Sequence, residues 1–476
     1  MTDAVPTTAP ATAGVGANGP AGSFEPTAEP IADPAAEPTA ELTAELTAEL
    51  TIERAAHGGH FVARHEGRVV FVRHALPGEV VRVRFTETDE GARFWRADTV
   101  EVLQASPHRV AHPWAAADAL RAAARGRSAV GGAEFGHIAL DEQRRLKAAI
   151  FAEQLARLAA TDREAVVEGA PSEAPDGLGW RTRAAFAVDA AGRLAMHLHR
   201  SHDVVPVREM PLAVPAINAL KLWTIDFTGI ERVDVAVPSG GGEPLVLLVP
   251  GAKTTPRRVA GVASSIEGAS VGVLDPESGQ VQRLKGRTWL QEAVLGIDYR
   301  VTGAGFWQIH RSAPEALVTA VLEGLQPAAG ERFADLYAGA GLFTVPLAHA
   351  VGPGGSVLSV EGSAGTSRDA RRNLHGQDHV AILQGRVDDV LGRWNEPLDA
   401  VLLDPPRAGA GSKVVRQIVQ TRPRAVGYVS CDPASFARDL GYFLGAGWSL
   451  DALRVFDLYP HTHHMESFAR LVPPSS

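Results

Sequence analysis

The sequence predicts an α/β protein: a doubly wound, mostly parallel sheet at the C-terminal end, preceded by a small β-barrel and a mixed α/β segment. Three observations predict it. From about residue 296 onward, apolar strand-like runs alternate with helical stretches. Short apolar runs broken by Gly and Pro turns crowd into residues 47–106. Gly339 and Gly341 follow one strand-like run and precede a helical one, as in open sheets that bind ligands beyond their strand ends. The 476 residues leave room for about three domains at the usual ~100–200 residues each. With 45% apolar and 21% charged residues, a wholly disordered chain is excluded.

Taken in order, residues 1–46 are mostly Ala, Thr, Pro, Gly and Glu, with Thr-Ala-Glu-Leu repeated at 39–42, 43–46 and 47–50. So few large apolar groups cannot offset ordering entropy, and a disordered acidic tail is expected. Residues 47–106 carry apolar runs at 61–63, 69–72 and 80–85, punctuated by Gly58-Gly59, Glu66-Gly67 and Pro77-Gly78. Arg64, Arg68, Arg73, Arg82, Arg84, Arg93 and Arg96 are interleaved there with Phe71, Phe85, Phe94 and Trp95. An RNA-binding barrel uses that mixture for phosphates and base stacking, although a solvated Arg face has the same composition. Residues 107–295 read as a mixed α/β middle domain, with a helix near 140–160 and strands near 181–188 and 244–249. Residues 296–476 hold strand candidates at 332–337, 356–361, 380–384, 399–404, 425–430, 450–457 and 467–472. No helix separates the last two, which fits a terminal hairpin.

The formal charge of −9 is unevenly spread. Residues 1–50 hold eight of the 55 acidic residues and none of the 46 basic ones, so the remainder is close to neutral. The acidity therefore does not argue against a nucleic-acid partner. Only five of the basic residues are Lys. Arg suits bidentate phosphate contacts, and a GC-rich genome yields the same bias. The single cysteine, Cys431, excludes a disulfide framework and any zinc or iron–sulfur site built from several thiolates. No run of about 18 apolar residues and no secretory signal pattern occurs, so a cytoplasmic protein without membrane attachment is expected.

The Gly339–Gly341 loop allows a tight backbone turn near a nucleotide-like ligand. Glu361 ends the next strand, where an acid accepts hydrogen bonds from ribose hydroxyls. The third glycine of a phosphate loop is missing, and Asp335 just before the loop would repel a pyrophosphate. A cationic, phosphate-free ligand such as S-adenosylmethionine fits better; a plain structural turn would need the same two glycines. Asp404-Pro-Pro-Arg-Ala-Gly409 closes an apolar strand on the same edge. It could present a rigid acceptor to a planar base, or simply block a helix. Cys431 stands where a strand passes into a helix, and a helix N-terminus favours thiolate over thiol. Near the C-terminus, His461, His463 and His464 have few carboxylates at ligand spacing, so no metal is expected. Glu466 is a candidate general base, the alternative being a surface acid.

Together, Phe306-Trp-Gln-Ile, Asp335-Leu-Tyr-Ala-Gly-Ala-Gly, Asp404-Pro-Pro-Arg, Ser430-Cys-Asp-Pro-Ala and His461-Thr-His-His-Met-Glu-Ser resemble the RNA (uracil-C5) methyltransferases. The resemblance spans about residues 48–476, and the barrel, with Ala56-His-Gly-Gly and Ala75-Leu-Pro-Gly-Glu, looks like a TRAM domain of OB-like fold. It implies a Rossmann-like class I methyltransferase domain, S-adenosylmethionine as cofactor, and tRNA or 23S rRNA as partner of a monomeric enzyme. It puts Gln308, Tyr337, Glu361 and Asp404 at cofactor positions beside Gly339 and Gly341, Cys431 at the nucleophile and Glu466 at the base. Many family members hold an iron–sulfur cluster in a Cys-Gly-Gly-Cys-like stretch and a later Cys-Pro. Here the matching places read Gly131-Gly-Ala133 and Met210-Pro211, so no cluster is expected. Two rival readings stand beside this one: methylation of another base or position, and a non-catalytic RNA-binding protein on the same scaffold.

Overall fold

The computed structural model describes residues 46–89, 91–199 and 201–474; apart from Leu46, the expected acidic tail lies outside the described residues. The last Thr-Ala-Glu-Leu repeat enters the first strand. Strands β1 (Thr47–Thr51), β2 (Arg54–Ala56), β3 (His60–His65), β4 (Arg68–Arg73), β5 (Val80–Glu87) and β6 (Phe94–Gln104) form one sheet in the order β1-β5-β6-β4-β3-β2. Its edge strands β1 and β2 are joined by Ile52 and Glu53 alone, so the sheet must curl to bring them together. The Glu53 amide donates to the Val62 carbonyl at 2.8 Å, extending the β2–β3 pairing into the corner that joins β1 to β2. Alternate residues Val70 and Val72, Val81 and Val83 point inward with Phe61, the two-residue period of a strand with one buried face.

Next come α1 (Ala119–Ala123), α2 (Leu140–Ala159) and β7 (Val167–Gly169). A second sheet holds β8 (Arg183–Val188), β9 (Leu194–His197), β10 (Val204–Pro206), β11 (Ile230–Ala236), β12 (Leu245–Pro250), β13 (Ser270–Leu274) and β14 (Val281–Lys285), in the order β10-β9-β8-β11-β12-β13-β14. Helices α3 (Pro215–Ala219) and α4 (Pro256–Ser265) lie along it in sequence. β15 (Trp289–Val294) and β16 (Ile297–Thr302) pair as a hairpin. Its turn residues Leu295 and Gly296 both have positive φ (51° and 78°), the conformation a two-residue hairpin favours.

The C-terminal part runs α5 (Ala313–Leu325), β17 (Arg332–Leu336), α6 (Thr344–Val351), β18 (Ser356–Glu361), α7 (Ala364–Asn373), β19 (Val380–Gln384), α8 (Val387–Leu391), β20 (Ala400–Leu403), α9 (Gly411–Gln420), β21 (Ala425–Ser430), α10 (Pro433–Gly445), β22 (Ser449–Asp457) and β23 (Glu466–Val472). Its sheet has the order β19-β18-β17-β20-β21-β23-β22-β7. The five strands from β19 to β21 are parallel, and β23 returns antiparallel beside β21. Successive residues feed opposite layers. Phe333, Ala400 and Leu402 pack with α5, α6 and α7; Ala334, Val401 and Leu403 pack with α2, α8, α9 and α10. Strands buried on both faces read as continuous apolar runs, as this sheet does.

Two sequence-based expectations need correction. The stretch 107–295 is not one body, because β7 hydrogen-bonds to β22 as the eighth strand of the C-terminal sheet. Helix α2 likewise serves two cores: Leu146 and Ile150 close the barrel, while Phe151 and Leu155 pack against the α10 layer. The boundary expected at 295/296, from the onset of alternating strands and helices, falls within the β15–β16 turn. Among the described residues, no helix is long and apolar enough to cross a membrane.

Candidate active site

Parallel order brings the singled-out residues into one row. Glu361 ends β18, Tyr337 follows β17, Asp404 follows β20 and Cys431 follows β21. β23 runs the opposite way, so its first residue, Glu466, stands on the same edge. The pairing of Ser430 with Ser467 puts Cys431 and Glu466 at the next facing positions of the ladder. Neighbouring strands lie ~4.8 Å apart, so the row is a continuous ledge of carboxylates around one thiol.

The turn after β17 explains how the ledge opens. The expected strand 332–337 ends at Leu336, because Tyr337 adopts φ 64°. A non-glycine residue rarely takes that conformation, and here it swings the chain out of the sheet. Gly339 and Gly341 then take φ 57° and 90°. A side chain at Gly339 would meet nothing within 4 Å, so the turn borders open space. The Gly339 amide donates to Glu361 Oε2 at 2.8 Å and the Ser363 amide to Oε1 at 2.6 Å. Glu361 thus fastens the glycine turn to the next strand, with lone pairs left on each oxygen. Burial, with Asp388 and Asp439 nearby, pushes the Tyr337 hydroxyl up to about 12. Gln308 is buried on the segment after β16. Its neighbour Trp307 packs on Tyr299, whose hydroxyl donates to the Leu342 carbonyl just past the glycine turn.

Among the described residues, Asp335, Asp404 and Glu466 form no ion pair, and Arg407 tempers Glu466 from a distance. Burial pushes Asp335 up to about 7, against the lowering effect of the Thr344 hydroxyl, which donates to Oδ2 at 2.5 Å. Its Oδ1 is buried with no hydrogen-bond partner. Asp404 is raised well above the usual carboxylate range by burial, then by Glu466 and Asp335. Burial raises Glu466 to about 7, opposed by a 2.7 Å hydrogen bond from the Tyr459 hydroxyl and by Arg407.

One expectation fails here. Cys431 is not primed as a thiolate: burial, then Glu466 and Asp404, push its thiol up to about 12. The intervening Asp432 caps α10 by accepting the Ser435 amide at 2.8 Å, and its carboxylate adds to the charges that disfavour a thiolate. Burial would raise Asp432, but its hydrogen bonds from His57 and Ser435 hold it at about 2. The His57 contact reaches across from the barrel at 2.9 Å. The sulfur itself is only partly buried, so the edge is open to a ligand.

S-adenosylmethionine fits this ledge. An orphaned carboxylate oxygen on Asp335, a raised Asp404 and open space at the glycine turn suit a ligand carrying a sulfonium and an ammonium. An iron–sulfur cluster does not fit: the chain has one cysteine, and Val130, Ala133 and Met210 join the same apolar core where family cysteines would stand. The three late histidines serve other contacts. His461 bonds to the Asp176 carbonyl, His463 lies 3.7 Å from Glu134, and His464 sits beside Arg407. Sequence reasoning missed Tyr459 and Lys147. Tyr459 stands seven residues before Glu466, two ahead of the quoted His461 cluster, and only the hairpin geometry brings its hydroxyl back to that carboxyl. Lys147 gave no signal within its helix.

An open parallel sheet with a glycine turn, an acid at the following strand end and an unpaired acidic ledge defines an S-adenosylmethionine-dependent class I methyltransferase. Comparison with known proteins narrows this. The TRAM domain family matches residues 47–94, and the tRNA (uracil-5-)-methyltransferase family matches residues 385–472. A Streptomyces avermitilis protein described as an uncharacterized RNA methyltransferase is 43% identical over 428 residues, covering 88% of this chain and 96% of its own. The 23S rRNA (uracil(1939)-C(5))-methyltransferase RlmD of Shewanella halifaxensis is 28% identical over 87% of this chain and 93% of its own. The Pyrococcus abyssi tRNA (uracil-54, C5)-methyltransferase, solved with S-adenosyl-L-homocysteine, shares the fold with a TM-score of 0.67 at 22% identity, over 89% of this chain and 99% of its own. The chain belongs to the RNA methyltransferase family of these relatives, with a TRAM domain and a C-terminal region that matches the tRNA (uracil-5-)-methyltransferase family.

Proposed function

We propose that this enzyme methylates C5 of a uridine in tRNA or 23S rRNA through a transient bond between Cys431 Sγ and C6 of the base. One observation carries the reading: a nucleophile and a carboxyl stand at facing positions on the ligand edge, Cys431 after β21 and Glu466 at the start of β23. Uracil C5 is a poor nucleophile. Attack of the cysteine sulfur on C6 places electron density on C5 and O4, as covalent catalysis requires. A bound cofactor would supply an electrophilic methyl group, to which the C5 electron pair would bond as the methyl–sulfonium bond breaks and leaves a neutral thioether. Glu466 accepts the C5 proton, the C5–H pair restores the ring double bond, and the S–C6 bond breaks to free Cys431. Asp404 holds the base edge or the cofactor ammonium, while Gly339, Gly341, Glu361, Tyr337 and Gln308 shape the cofactor cradle. The target base must leave its stack to reach this ledge.

With the resting thiol raised to about 12, sulfur addition is coupled to proton transfer, and Glu466 and Asp404 are the carboxyls beside it. The barrel and the segment 107–295 bind the surrounding RNA. The enzyme acts as a cytoplasmic monomer. The test is mass mapping of 5-methyluridine in tRNA and 23S rRNA from a deletion strain, with purified enzyme and cofactor added back. Loss of one site, restored by the enzyme, is expected; full modification at every such site in the deletion strain would sink the assignment. Methylation that survives Cys431→Ser would instead favour chemistry at another position.

A further inference from the structure

The Tyr459–Glu466 pair is where the site is built beyond its matched motif residues. Tyr459 lies in the loop between β22 and β23, and its hydroxyl donates to Glu466 Oε1 at 2.7 Å with both side chains buried. The ring is fixed edge-on to Trp180, with centroids 5.8 Å apart, and edge-on to His464 at 6.1 Å. Its backbone is held as well. The Tyr459 carbonyl accepts from Lys147 Nζ at 3.1 Å and from the Thr462 hydroxyl at 2.8 Å. Lys147 is itself fully buried and paired with Asp457 at 2.5 Å. A buried ion pair of this kind is weak evidence for stability, yet it pins the loop that aims one hydroxyl. The groups facing Glu466 are Tyr459 from the loop, Arg407 and Asp404 from beyond β20, and Cys431 from beyond β21.

We propose that Tyr459 is a positioning residue for proton abstraction: it occupies Glu466 Oε1, so that Oε2 is the oxygen turned to the C5 proton, and it favours the ionised form of that carboxyl in its buried setting. This rests on Glu466 as the base. A donor to the charged form favours that form, so its removal raises the Glu466 pKa. The acid limb of the rate then moves to higher pH.

Tyr459→Phe keeps the ring and removes only the donor. Single-turnover methylation from pH 5.5 to 9 should show the acid limb displaced upward by about one pH unit, with about tenfold lower rate below the limb. With 5-deuterated uridine RNA, the isotope effect on methylation should grow in the variant, because proton removal becomes slower. Capture of RNA containing 5-fluorouridine as a denaturation-resistant adduct should be unchanged, since it does not require the proton step. An unchanged pH limb and isotope effect would overturn the proposal and leave Glu466 as the base. Glu466→Gln separates the two ideas: if it turns over like the parent enzyme, the base assignment falls and this proposal falls with it. Loss of adduct capture in Tyr459→Phe would also overturn it, pointing to a role in shaping the pocket.

Discussion

The barrel and the strand-end ledge treat charge in opposite ways. In the barrel, carboxylates meet guanidinium groups: Arg73 with Asp98 at 2.7 Å, Arg82 with Glu49 at 2.9 Å, Arg96 with Glu87, and Arg109 with the fully buried Glu79 at 2.6 Å. On the ledge, Asp335, Asp404 and Glu466 are buried or partly buried and form no ion pair among the described residues, and all three are pushed upward even though Arg407 lies near Glu466. Paired charge makes a scaffold; unpaired charge waits for a ligand. Perturbed carboxyls that gather in this way are a mark of functional sites. The Arg and aromatic mixture of residues 47–106 is therefore partly internal wiring, because several of those arginines are already committed within the barrel.

Substitutions can break or sharpen this contrast. The largest effect belongs to Cys431→Ser, which should lower methylation by at least about 10³-fold while cofactor binding by calorimetry persists. A variant that retained the parental rate would remove the nucleophile from the account. Glu466→Gln should slow turnover by about 10²–10⁴-fold and accumulate the RNA adduct on denaturing gels. On the scaffold side, Arg109→Ala leaves Glu79 buried and unpaired and should cost about 3–5 kcal/mol of stability in denaturant unfolding. Cofactor affinity should not change, and a variant as stable as the parent would show the pair to be idle.

Smaller effects concern protons. Asp335 has a folded-state pKa of about 7, above its ordinary value, so its contribution to stability is present at low pH and lost as pH rises toward 8. Asp335→Asn should therefore lose less Tm between pH 5 and 8 than the parent, while binding the cationic cofactor more weakly. Parallel melting profiles would contradict this. The resting Cys431 thiol should react sluggishly with iodoacetamide at pH 7.5, its rate still climbing past pH 9. A plateau near the ordinary ~8.5 would show an activated thiolate after all.

Much of this was legible in the chain. The alternation that follows residue 296 fixes the order of strands and helices, and with it the edge on which Gly339, Glu361, Asp404 and Cys431 must meet. Glu466 could be placed there too, because a terminal hairpin reverses direction. What escaped was long-range. Nothing local marks Val167–Gly169 as an edge strand of a sheet whose other strands begin at residue 332. Asp432 followed by Pro433 does mark a helix cap locally, but nothing near Cys431 reveals that Glu466 and Asp404 crowd the sulfur. Proton affinity depends on neighbours brought together by folding, so position beside a helix was a poor guide to it.

Helix α2 also bears on how this architecture can be taken apart. With one flank plugged into the N-terminal barrel and the other bedded on α10, it acts as a shared keel rather than a spacer. Trimming the barrel together with this helix would strip hydrocarbon from Phe436 and leave Asp457 without its ammonium partner. Transplanting the barrel onto another catalytic body therefore means carrying the keel along, or rebuilding the flank it leaves bare.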